Sequence, residues 1–159
     1  MINTYMKKLE LKDICLTIEQ VSELQKLGVD FSNNMLYLFR QTEFRGNRKC
    51  VSDWKITTQK ICQSVGLTTT EFVPTLTDAE MFEMLPKTYN GYRVEMVAVE
   101  DYFFIQYIDK YNHVAHFKDM FMLTGYLSDR EDLSVRVGGE TLCEALFKMI
   151  KFLKTNKLM

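Results

Sequence analysis

The chain is sparing with the residues that break or cross-link a backbone: its 159 residues include 7 Gly, 2 Pro, 4 Cys and 2 His. So little Gly and Pro excludes collagen-like and low-complexity chains. Cys15, Cys50, Cys62 and Cys143 form no C-x-x-C pair and no tight framework, a spacing that suggests no disulfides and a reducing compartment. No apolar run approaches the ~20 residues of a membrane span. Lys7, Lys8, Glu10, Lys12 and Asp13 interrupt the N-terminus where a signal peptide needs an unbroken apolar stretch. A soluble, cytoplasmic protein with no membrane contact is the expectation. Excess charge is lacking as well. Lys plus Arg is 20 and Asp plus Glu is 21, a net charge of -1, which argues against binding nucleic acid through a global basic field.

What is present is a strong folding signal, with 47% hydrophobic and 13% aromatic residues. A disordered chain is poorer in aromatics. One domain of this length buries about 70% of the surface of its extended chain. The reading is therefore a single domain over 1–159, with the first 16 residues a candidate loosely attached segment and 111–132 a candidate insertion. The near-zero charge is a cancellation. Arg40, Arg45, Arg48 and Lys49 make a basic stretch, Glu95 to Glu144 carries ten acids against four bases, and the tail carries Lys148, Lys151, Lys154 and Lys157.

Start and stop signals predict a helix over 17–27, with Thr17 and Gln20 as a capping box, Ile18, Val21 and Leu24 on one stripe, and Gly28 as terminator. Met35 to Thr42 and Cys50 to Thr57 read as strands joined by a loop containing Gly46 and Asn47. In the second, Ser52, Trp54 and Ile56 alternate with Asp53 and Lys55. Thr58 to Val65 is a candidate short helix, and Thr68-Thr69-Thr70 the one linker-like segment. Thr77 and Glu80 cap a helix over 76–85 that Pro86 closes. Tyr92 to Val99 and Tyr102 to Asp109 are strand candidates. Glu100-Asp101 between them lacks the Gly of a tight primed turn, so a looser hairpin is expected. Residues 111–132 stay unassigned, Leu133 to Val137 reads as an edge strand, Gly138-Gly139 as a break, and Thr141 with Glu144 caps a last helix. The order gives an α+β fold: a mostly antiparallel sheet of hairpins with three or four helices packed on one face.

Chemistry-bearing constellations are few. His113 and His116, at i and i+3, fall short of the three or four ligands of a zinc site and read as surface or satisfied core residues. Cys143 begins the last helix, where the dipole would lower a thiol pKa, but it borders an apolar stripe and reads as an inert buried thiol. Glu100-Asp101 and the acids of Ser128 to Asp132 lack calcium-loop spacing. No catalytic residue, metal ligand or cofactor is assigned. The most function-like feature is the basic hairpin end. Arg40, Arg45, Arg48 and Lys49, with Tyr37, Phe44 and Trp54 nearby, offer phosphate contacts plus stacking. The ten Met and the aromatics are mainly core filling, although a surplus can mark a partner surface.

The segments PTLTDAEMFEMLPK (Pro74 to Lys87) and GETLCEALFKMIKFLKTNKL (Gly139 to Leu158) resemble a group of small proteins of gut bacteria, often encoded in prophages or other mobile elements. The likeness extends to the V-x-x-L-x-x-L-G pattern of Val21 to Gly28 and to the order of hairpin, P-T-L helix, aromatic strands and C-terminal E-A-L-x-x-M helix. No activity or catalytic residue comes with the resemblance. It implies a mobile-element protein. The leading expectation is a non-enzymatic accessory protein acting through contacts with a protein partner or with its own copies. A nucleic-acid-binding accessory protein using hairpin 40–49 is the alternative, and a small thiol- or metal-dependent hydrolase the least favoured.

Overall fold

The computed structural model describes residues 10–58, 68–89, 91–107, 122–124 and 134–159. Helix α1 (Ile18–Lys26) is closed at both ends as its sequence demands. The Gln20 N–H donates to the Thr17 hydroxyl at 3.4 Å, and the Thr17 N–H to the Gln20 side chain at 2.9 Å. At the C-terminus Gly28 takes φ +76°, and the N–H groups of Gly28 and Val29 donate back to the carbonyls of Gln25 and Leu24. Cys15 and Leu16 join the core just before the helix: both are fully buried, Cys15 bridges Thr77, and the Leu16 N–H donates to the Leu76 carbonyl.

The first sheet is built on β1 (Leu36–Arg45), which turns through Gly46 (φ +59°) and Asn47 into β2 (Arg48–Val51). A second fragment, β3 (Lys55–Thr57), continues along the same edge. The expected single strand over 50–57 is thus two. Thr42 pairs Val51 and Phe39 pairs Lys55, so Ser52, Asp53 and Trp54 face only Arg40 and Gln41. This extra residue is a β-bulge, and it resets the alternation so that Val51 and Ile56 share a face. Ser52 spans the gap, donating its N–H to the Gln41 carbonyl and accepting the Gln41 N–H on its hydroxyl.

On the other side of β1 lies β4 (Thr68–Thr75), antiparallel along its whole length. The linker expected at 68–70 is therefore strand. Its threonines are β-branched, which suits a pleated edge, and an edge strand tolerates Pro74. Helix α2 (Asp78–Met84) follows, with the reciprocal cap between Thr77 and Glu80 in place.

The second sheet runs β5 (Thr88–Tyr89), β6 (Tyr92–Val99), β7 (Tyr102–Tyr107), β9 (Ser134–Gly139) and β8 (Met122–Thr124), antiparallel throughout. The β6–β7 turn is tighter than its residues suggest: Val99 pairs Tyr102, and Glu100 is held at φ +54°. Nor is β9 an edge. It lies between β7 and β8 with Val135, Arg136 and Val137 buried, and Gly138-Gly139 extends it rather than breaking it. Residues 59–65 of the candidate helix over 58–65, most of 111–132, His113, His116 and Cys62 lie outside the described residues.

Helix α3 (Leu142–Thr155) packs on β7, β9 and α2. Its stripe of Ala145, Leu146, Met149, Ile150 and Leu153 is fully buried in one core with Val21, Leu24, Met81, Ile105, Tyr107, Val135 and Val137. Burial of each larger side chain stabilises by about 1.5–3 kcal/mol. A Cβ on Gly139 would stand 2.7 Å from the backbone nitrogen of Ala145, so β9 and α3 meet at a distance only glycine allows. Three α-helices and two antiparallel sheets among the described residues make this an α+β fold. No described helix is long and apolar enough to cross a membrane.

Candidate functional site

The register of β1 and β2 decides what the basic hairpin can present. Side chains alternate along each strand, and Arg45 pairs Arg48 while Phe44 pairs Lys49. Arg45 and Arg48 therefore share one face, and Lys49 lies on the opposite face with Phe44. Arg40, also on that second face, is already engaged. Its Nε donates to the Glu71 carboxylate at 2.7 Å, and its guanidinium lies 4.6 Å from the Trp54 ring centre. Arg45 is drawn back to Glu43 at 3.0 Å. Of the four bases proposed from sequence, Arg48 and Lys49 stand exposed at the tip with no ion pair among the described residues. Beside Lys49, Phe44 is 43% and Val51 49% exposed.

At the other end of β1 the structure forms a groove of about 510 Å³ that sequence reasoning missed. One wall is the loop after α1. Val29 and Phe31 are buried and anchor it, while the Asp30 carboxylate accepts the N–H and the hydroxyl of Ser32 at 2.8 and 2.7 Å. Those bonds hold the Asp30 pKa below the usual carboxylate value. Asn33, Asn34 and Met35 complete that wall, and the Asn34 amide donates to the Leu36 carbonyl. The opposite wall is α2 with Ala79, Glu80, Glu83 and Met84, above Leu76. Glu80 joins the walls: one carboxylate oxygen caps Thr77 at 2.8 Å and the other accepts the Met35 N–H at 2.6 Å. Met35 is left 69% exposed at the rim. The available signal was the run Asp30-Phe31-Ser32-Asn33-Asn34, whose Asp, Ser and Asn favour a self-bonded turn.

The thiol candidates behave as buried hydrophobes. Cys143 is 1% exposed, and burial, with Asp78 nearby, pushes its pKa up to about 12. Burial also raises Cys15, so loss of water outweighs the helix dipole at Cys143. Cys50 is exposed. Glu100 and Asp101 form the β6–β7 turn, and no group of three or more metal-ligating side chains occurs among the described residues. Buried Tyr107 donates its hydroxyl to the Pro86 carbonyl at 2.6 Å, and burial raises its pKa to about 12. That contact ties β7 to the end of α2.

The chain matches no model of a known protein family, no curated protein and no solved structure.

Proposed function

We propose that this is a non-enzymatic accessory protein that works through protein contacts, with the groove between loop 29–35 and α2 as its contact surface. The observation that carries the reading is Met35, a large apolar side chain left in solvent by a loop that its own anchors hold in place. A flexible thioether beside a second methionine, Met84, adapts to the side chains of a partner. The resemblance of the P-T-L and E-A-L-x-x-M helices to prophage proteins supports a mobile-element setting, and with it the cytoplasm. As scaffold, the helices gather on the sheet face that carries Ile105, Val135 and Val137. Replacing Met35 with Glu tests the proposal: the variant keeps the wild-type melting temperature and loses a protein that copurifies in stoichiometric amount. Retention of that protein by the variant refutes it.

The nucleic-acid reading keeps one supporting observation, the exposed pair Arg48 and Lys49. With Arg40 held by Glu71 and Trp54, Arg45 in an exposed pair with Glu43, and the bases divided between two faces, it supports only weak phosphate contact. Retention on DNA or RNA at low salt that disappears in Arg45→Ala and Arg48→Ala variants would favour it over protein contact.

A further inference from the structure

We infer that the occupant of the groove is the β1–β2 hairpin tip of a second copy of this chain. The inference rests on the protein-contact reading and names the partner. Asp30, Glu80 and Glu83 line the groove, and no Lys, Arg or His among the described residues does. Lys87 reaches Glu83 at 3.4 Å, but both side chains are largely exposed, so the pair is weak. Glu80 cannot swing away, because Thr77 and Met35 hold both of its oxygens. A rigid acidic rim over an apolar floor calls for a cation carried beside an apolar side chain. The hairpin tip offers that combination, with Lys49 and Phe44 paired on one face, Val51 next to them and Arg48 behind. A nucleic acid would bring phosphates to the same carboxylates and be repelled. A free amine would leave the exposed Met35 uncovered.

The two surfaces sit at opposite ends of one strand. From Met35 to Arg45 the chain runs ten residues, about 33 Å at the rise of a β-strand. A tip seated in the groove of the next copy therefore joins molecules head to tail. Such an interface uses two different patches, so two copies laid antiparallel close it reciprocally as a dimer, and any other geometry continues into a ring or an open filament.

Sedimentation velocity over a concentration series, with Lys49→Glu and Glu83→Lys variants, tests this. Wild type shows mass rising with concentration to a dimer or beyond, and added salt reverses it. Each variant weakens association at least about tenfold while keeping the wild-type circular dichroism and melting temperature. An equimolar mixture of the two variants regains the wild-type assembly, since the native tip of one fits the native groove of the other and the two reversed charges meet each other at the second contact. Wild type that stays monomeric, or a mixture that fails to pair, overturns the inference. Loss of a different copurifying protein from Met35→Glu in the same study leaves the contact reading standing without it.

Discussion

Alanine at Gly138 and at Gly139 separates two kinds of close packing that a sequence reading takes for a chain break. A Cβ on Gly138 would lie 2.5 Å from Cε1 of Tyr102 and 2.9 Å from Cε1 of Phe104. Carbon atoms pack comfortably at about 3.5–4.0 Å, so the Tyr102 ring must retreat by about 1 Å. That ring is 7% exposed and lies 5.1 Å from the Phe104 ring, which leaves it little room. Overpacking of this kind costs about 1–3 kcal/mol. At Gly139 the obstacle is the backbone of α3, which cannot rotate away and carries Leu146 and Met149 in the core, so the cost falls at or above the top of that range. Gly46→Ala is the reference. Nothing lies within 4 Å of its Cβ position, and its φ of +59° costs about 1 kcal/mol through strain alone. Urea unfolding followed by circular dichroism should rank stability Gly46→Ala above Gly138→Ala above Gly139→Ala, with equal slopes. In melting temperature the Gly138 variant falls by about 2–10 °C. If either strand variant is as stable as Gly46→Ala, the packing of β9 against Tyr102 and α3 is not as described.

Three further outcomes follow from the geometry. Tyr107→Phe strands the Pro86 carbonyl and should cost about 1–3 kcal/mol in chemical denaturation, and a neutral result would mean that the hydroxyl bond is not made. Burial raises the pKa of Tyr107 from 10.0 and that of Cys143 from 9.0, each to about 12, so the folded state holds these protons more tightly than the unfolded state. The stability they contribute is intact below pH 9 and drains away between about pH 9 and 12; a urea midpoint flat across that window would contradict the burial. Glu100 and Lys157, at φ +54° and +57°, sit where glycine is at ease. Replacing either with Gly should leave stability unchanged or raise it by up to about 1 kcal/mol, and a loss above that would show that the side chain holds the turn.

Local signals proved legible where one segment decides its own structure. The caps at Thr17, Thr77 and Thr141 and the stripe of α3 depend on contacts three or four residues apart, and all form. Features set by distant partners were not legible. Thr68-Thr69-Thr70 reads as a linker until β1 supplies a pairing strand, and the bulge at 52–54 exists only against Arg40 and Gln41. Glu100 shows local preference yielding to tertiary demand, because the pairing of β6 with β7 imposes a turn its sequence does not favour. The candidate site divides the same way. The basic residues of the hairpin were plain in sequence, but their separation onto two faces required the register, and the groove required α2 to be brought against loop 29–35.

The most direct test of the contact surface is a photo-crosslinking amino acid placed at Met35 and, in a separate variant, at Gln25 on the exposed side of α1, each irradiated in the cell that makes the protein. A discrete protein adduct at position 35 and none at position 25 is the predicted result. No protein adduct at 35, or equal labelling at both positions, would contradict a function exercised through the groove.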